Sequence, residues 1–176
     1  MLKRTPPNRY RTKNRLSVLP EPKGQTQIEF ILSILTILFV IFWMWEVIMG
    51  VYTYNVLSDA AKEGIRYAIV HGSRNSNCSG PGVCGQGTVG QVSSTDSSGT
   101  NVANVVKDYA KYSLHDTSGM TVSVSYPDPQ TLPGGTQVWN EAPSTVTVQL
   151  SYKYIPYLAL PIQPTFNVRA QGRIVN

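Results

Sequence analysis

The sequence predicts an α+β protein in which one long N-terminal helix packs on a small head. A long apolar run occupies residues 28–54 and continues as an amphipathic helical pattern to about residue 71. Near the C-terminus, three stretches alternate apolar and polar residues, as antiparallel strands do when one sheet face is covered. A shorter helical pattern precedes these stretches. The head is therefore expected to contain a three-stranded antiparallel sheet and a second helix.

Residues 1–24 form a basic segment. They contain seven Lys and Arg residues and one Glu, a net charge of +6, whereas the whole chain has a formal charge of +5. The rest of the chain is therefore close to neutral, which argues against a nucleic-acid partner, because phosphate contact needs a basic surface on the folded part. A basic segment directly before an apolar run is typical of a topology signal. It predicts a cytoplasmic leader over 1–24.

Residues 25–71 are predicted to form one helix. No charge interrupts residues 30–45, and extension to residue 54 gives enough length to cross a bilayer but includes Glu46. The membrane part is therefore expected at about 28–54, with lipid as its partner and the head outside the cytoplasm. Beyond it the helix becomes amphipathic, with Asp59/Lys62 and Glu63/Arg66 as opposite-charge pairs at i,i+3.

Residues 72–176 are predicted to form the head. Residues 72–100 are rich in Gly, Ser, Asn and Thr and predict an exposed loop, and residues 101–114 predict a helix with Asn101 as its N-cap. The alternating apolar positions of the three strands follow in order: Met120, Val122, Val124 and Tyr126; Val146, Val148, Leu150, Tyr152 and Tyr154; Phe166, Val168, Ala170 and Ile174.

Cys78 and Cys84 are the two cysteines of the chain. Two thiolates alone cannot complete a zinc site, and neither His71 nor His115 lies at finger-like spacing. Outside the cytoplasm a disulfide is the simpler interpretation. We therefore predict a structural Cys78–Cys84 bridge and no metal.

The sequence offers no reaction centre. Two Gly-x-Gly-x-x-Gly matches lie within residues 80–90, but neither follows a predicted strand nor opens a helix, which excludes them as a nucleotide-binding fingerprint. No Ser/His/Asp or Cys/His arrangement has supporting context. We predict no catalytic residue and no cofactor.

The segment Gly24-Gln25-Thr26-Gln27-Ile28-Glu29-Phe30 follows the basic segment and opens the apolar run. Here the sequence resembles a type IV prepilin leader of the Gly-x-x-x-x-Glu-Phe/Tyr form found in Flp/Tad pilus systems. The resemblance implies cleavage by a prepilin peptidase between Gly24 and Gln25. It also implies that Glu29, with Phe30, takes part in assembly by pairing with the N-terminal amino group of a neighbouring subunit. A carboxylate within a membrane helix should find such a cationic partner.

A second resemblance narrows the family. An acid after the apolar run, Glu46, leads into a segment that resembles the TadE-like signature Ala-Ala-x-Glu-Gly-x-Arg-Tyr-Ala. The matching residues are Ala60, Ala61, Glu63, Gly64, Arg66, Tyr67 and Ala68. The small residues among them are spaced so that another element can approach closely, and both packing on the chain's own head and contact with another subunit are expected.

The TadE-like resemblance implies a pilin-like fold and a minor pseudopilin of a Tad-type pilus or related secretion apparatus. Its implied partners are the prepilin peptidase, other pilins or pseudopilins and the pilus assembly platform, and Glu46 is assigned an assembly role. Its implied location is the bacterial cytoplasmic (inner) membrane, in a single pass. An unprocessed, signal-anchored extracytoplasmic binding or structural protein is the alternative.

Overall fold

A computed structural model describes residues 24–85, 92–135, 137–158 and 163–175. The predicted basic leader, apart from Gly24, lies outside these residues. Two compact units are distinguished, Met1–Val40 and Ile41–Asn176. In the first unit the described residues are 24–40.

The long helix α1 runs from Gln25 to Val70 without a break. By length and composition it can span a membrane, and only 6% of its most apolar 18-residue window is buried. That exposure distinguishes it from the core helix of a soluble protein, whose apolar residues would be covered. Buried positions recur along the second half of α1, where the sequence predicts amphipathic character.

Within its described residues, the head contains one further helix and seven strands. In chain order they are β1 (Val83–Cys84), β2 (Val92–Ser93), α2 (Thr100–Lys111), β3 (Met120–Ser125), β4 (Gln130–Thr131), β5 (Gln137–Val138), β6 (Thr145–Lys153) and β7 (Thr165–Arg173). Strands β3, β6 and β7 form an antiparallel sheet in that order, with Met120 opposite Tyr152 and Thr145 opposite Arg173. Strands β1 and β2 pair with each other, as do β4 and β5. The predicted α+β class is confirmed.

One hydrophobic core joins α1, α2 and the three-stranded sheet. Leu57, Val102, Val106, Val148 and Leu150 are buried in it. The apolar positions predicted for β6 are all buried, because alternate side chains of a strand point to the same face. The core therefore fixes the second half of α1 to the head.

The start of α2 differs from the prediction. Asn101 is not the N-cap, because α2 already begins at Thr100 and is preceded by Gly99 with φ 71°. Glycine has no side chain with which to cap the helix, and Asp96 supplies the cap from outside it. Its carboxylate accepts hydrogen bonds from the backbone N–H groups of Thr100 (2.6 Å) and Asn101 (3.1 Å).

The described parts of the segment predicted as an exposed loop, residues 72–85 and 92–100, are partly buried. Within it Ser73, Cys78, Ser79 and Asp96 are buried, and β1 pairs with β2. Polar side chains bury here because they bond to one another: the Ser79 hydroxyl donates to Asp96. Composition alone cannot distinguish such a segment from an exposed loop.

Candidate functional site around Glu46

Glu46 lies on α1 and is only 8% exposed. Its neighbours along the helix, Trp45 and Val47, are exposed, so α1 turns this carboxylate towards the head. Its Oε1 accepts hydrogen bonds from the Tyr154 hydroxyl (2.7 Å) and the Tyr157 N–H (3.3 Å). Its Oε2 accepts a bond from the Leu158 N–H at 3.4 Å. A carboxylate can be buried in apolar surroundings only with such partners.

Tyr154 is the central partner of Glu46. It directly follows β6, and its ring centroid lies 5.5 Å from that of Phe166 on β7. Burial is the main cause that raises the pKa of Tyr154 above its ordinary value, and the hydrogen bond to Glu46 is the second. The phenol therefore stays protonated and remains a donor at physiological pH. Glu46 and Tyr154 together attach the β6–β7 connection to α1.

An apolar cavity of about 410 Å³ lies beside this pair. Helix α1 forms one wall, and the ends of β6 and β7 form the other. The cavity is lined by Trp43, Val47, Val51, Tyr54, Pro156 and Pro164, among others, and Glu46 is the one charged residue among the described residues that line it.

The small residues of the TadE-like segment lie inside the chain's own head. Ala60, Ala61, Gly64 and Ala68 are buried, facing α2 and the sheet. A Cβ at Gly64 would collide with the Val106 side chain, so glycine permits the close approach of α2. These positions are covered by the same chain, so their small side chains are not accessible to another subunit.

The polar members of that segment are on its exposed side. Arg66 Nη1 lies 3.3 Å from Glu63 Oε2, and Lys62 and Asp59 make a similar pair at 2.9 Å. The Tyr67 ring stacks on His71 with centroids 3.8 Å apart. Exposed pairs of this kind contribute little to stability. The charged side chains of the two ion pairs remain accessible from outside the molecule, whereas Tyr67 packs against the core.

The residues assigned to processing and assembly at the start of α1 are exposed. Gly24 precedes the helix, and Gln25 is its first residue. Gln25 Nε2 donates a hydrogen bond to Glu29 Oε1 at 3.1 Å, and the Phe30 side chain is exposed. Ser33 and Thr36 donate to the carbonyls of Glu29 and Leu32, which satisfies their hydroxyls without water.

Cys78 and Cys84 form a disulfide with a Cα–Cα distance of 5.4 Å. Both are buried, and Asn140 Nδ2 donates to Cys78 Sγ at 3.1 Å. The bridge closes the turn between α1 and β1, beside the network that Asp96 organises. Its surroundings are those of a structural bridge, since the sulfurs are shielded from solvent.

Sequence reasoning missed the partners of Glu46 and the role of Asp96. The signal for the first was present, because an acid inside an apolar helical run requires donors and the second strand ends in Tyr-x-Tyr. No comparable signal marked Asp96 among the many polar residues around it. Among the described residues, no group of three or more His, Cys, Asp or Glu side chains is arranged to hold a metal ion.

The fold and the Glu46 site define a small α+β head on an apolar helix able to span a membrane. No protein-family model, curated protein or solved structure matches this chain.

Proposed function

We propose that this chain is a TadE-like minor pseudopilin that takes part in assembling a Tad-type pilus or a related secretion apparatus. In this proposal a prepilin peptidase cuts between Gly24 and Gln25, and α1 holds the mature protein in the bacterial inner membrane. The basic leader faces the cytoplasm and the head faces outwards. The partners are the peptidase, other pilins or pseudopilins and the assembly platform.

The observation that carries the proposal is the division of one continuous helix. The Gly24–Phe30 motif stands at the beginning of α1, where side chains are exposed, and the TadE-like segment stands near its end, where small residues are buried in the head. An exposed apolar half suits lateral association with other membrane helices. A covered half makes the head and the last turns of the helix one body.

The position of Glu29 adds support. It is exposed near the start of α1, and its carboxylate accepts a hydrogen bond from the neutral Gln25 side chain. A carboxylate so placed at the edge of an apolar helix gains from a cationic partner. The new amino group at Gln25 of a neighbouring subunit would supply one.

Mass spectrometry of the N-terminus tests processing. The protein is extracted from membranes of a strain with an active prepilin peptidase, and a mature chain beginning at Gln25 is expected. Gly24→Ala should block the cut, whereas Gly50→Ala, a matched change farther along α1, should leave it intact. A wild-type chain that retains residues 1–24 in this strain contradicts the proposal.

Assembly needs its own measurement. Glu29→Ala should leave processing intact but reduce incorporation of the protein into the sheared pilus or secretion fraction, while Asp108→Ala, which removes an exposed acid from α2, should not. Equal incorporation of the two variants removes the assembly role of Glu29.

The alternative is an unprocessed, signal-anchored extracytoplasmic protein. One observation favours it: the TadE-like segment is satisfied by its own head and requires no second subunit. The same mass spectrum separates the two functions, because the alternative retains the leader.

A further inference from the structure

The exposed apolar side chains of the head gather at one end. Among the described residues outside α1, the large apolar side chains left exposed are Tyr109, Tyr112, Ile155, Tyr157 and Val175. Tyr112 lies in the connection α2–β3, and Ile155 and Tyr157 lie in the connection β6–β7. Tyr109 is in the last turn of α2. Tyr112 is 92% exposed, an extreme value for an aromatic ring in a folded domain.

Contacts place both connections at the level of Glu46 on α1. The Tyr157 N–H bonds to Glu46, and the Tyr157 ring centroid lies 5.1 Å from that of His115. The Tyr152 hydroxyl donates to the Asp116 carbonyl at 2.9 Å. Tyr112 is the C-cap residue of α2 and precedes His115 by three residues. We call this end of the head, formed by residues 112–119 and 154–158, the Glu46 face.

The chemistry of the cavity beside Glu46 selects a neutral, apolar occupant. The Glu46 carboxylate accepts hydrogen bonds from three donors of its own chain, so it does not need a cationic ligand to balance its burial. Val47 and Val51 on the cavity wall are more than half exposed. They continue the apolar surface of α1 that is suited to lipid.

We propose that the Glu46 face is a lipid-docking surface. It lies in the headgroup region of the membrane that α1 enters, and the cavity receives a phospholipid acyl chain. The rings of Tyr112 and Tyr157 have an apolar body and a polar tip, which is the chemistry that favours the membrane–water interface. Glu46 then lies at the boundary of the bilayer, where its bonds to the head keep its charge out of the hydrocarbon.

The cavity is continuous with the apolar surface of α1, and this favours lipid over a second copy of the chain as its occupant. Helix α1 forms one wall of the cavity, and by composition it is the part of the chain suited to hydrocarbon. This proposal does not rest on processing or pilus assembly, because an unprocessed anchored protein would dock in the same way.

Depth-dependent quenching in vesicles tests the docking. The full chain is reconstituted into phosphatidylcholine–phosphatidylglycerol vesicles with an environment-sensitive fluorophore on Tyr157→Cys or Tyr112→Cys, while Cys78 and Cys84 stay bonded to each other. Ser97→Cys is the control, since this exposed residue precedes Gly99, which lies against Val124 at the opposite end of β3 from Met120. We expect a blue shift and a loss of fluorescence at positions 112 and 157 when the lipids carry nitroxides near the headgroup, and neither at position 97.

Emission at 112 and 157 that matches the control overturns the proposal. A blue shift without quenching by lipid, and lost on dilution of the protein in the vesicles, also overturns it, because a second copy would then cover the face. The unmodified chain gives an independent readout with phosphatidylcholine that bears a diazirine on its acyl chain. Photolysis should label head peptides that contain Pro156 or Phe166, and labelling confined to α1 rejects the cavity as an acyl-chain site.

Discussion

The Tyr154 hydroxyl donates a 2.7 Å hydrogen bond to the Glu46 carboxylate across 108 residues of sequence. Glu46 belongs to the apolar stretch of α1, and Tyr154 directly follows β6, the strand at the centre of the sheet. The bond therefore sets the position at which the β6–β7 connection meets the helix. It also explains how an acid is tolerated on α1, because the donors that a buried carboxylate needs come from the head.

Tyr154→Phe removes one donor and keeps the ring. Because hydrogen bonds to charged groups contribute about 1.5–3 kcal/mol, the free energy of unfolding of the head should fall by about that amount. Denaturant unfolding in detergent micelles, followed by near-ultraviolet circular dichroism, measures the change. Tyr152→Phe is the matched control, since its hydroxyl donates to the neutral Asp116 carbonyl and its loss should cost about 0.5–1.5 kcal/mol. Equal losses of unfolding free energy in the two variants would show that the hydrogen bond to Glu46 contributes no more than a hydrogen bond to a neutral carbonyl.

Gly64→Ala tests the close contact between α1 and α2. The added methyl group would meet the Val106 side chain, and such overpacking costs about 1–3 kcal/mol. Gly50→Ala on the same helix is the control, because its new Cβ would have Phe166 at 3.8 Å, an ordinary contact. Both changes gain helix propensity of up to about 1 kcal/mol. Thermal unfolding should rank the variants with Gly50→Ala above Gly64→Ala, and the reverse order would contradict the packing.

Asp96→Ala tests the cap of α2. The Asp96 carboxylate accepts from two of the first N–H groups of the helix and from the buried Ser79 hydroxyl, so its removal takes the acceptor away from three donors. We expect a loss of about 0.5–2 kcal/mol in the free energy of unfolding, typical of lost helix caps. Asp108→Ala removes an exposed acid from α2 itself and should change stability by less than about 0.5 kcal/mol. A comparable loss for Asp108→Ala would mean that charge, and not capping, is responsible.

The sequence was sufficient for the two helices and the three long strands, but not for the short pairs β1–β2 and β4–β5 or for the contacts between elements. Apolar periodicity predicted α1, α2 and the three long strands, because burial of one face imposes a repeat on each element. The Glu46–Tyr154 hydrogen bond produces no repeat in the sequence, because it joins two single residues that are far apart in the chain. The capping role of Asp96 could not be predicted for a different reason. The sequence around a polar residue in a polar loop is the same whether its side chain caps a helix or faces water. The start of α2 was misplaced accordingly, at Asn101 instead of Thr100.

Tyr126 gives the head a pH dependence in the alkaline range. Burial raises the pKa of Tyr126 to about 12, from an ordinary value near 10. The unfolded chain therefore loses the phenol proton first, and the stability contributed by the neutral phenol is complete below pH 10 and declines as the pH rises towards 12. At pH 11 the loss should be on the order of 1 kcal/mol relative to pH 9. Tyr126→Phe has no proton to lose, so its free energy of unfolding should fall less over the same interval. Parallel pH profiles for the wild type and Tyr126→Phe would contradict the burial of this phenol.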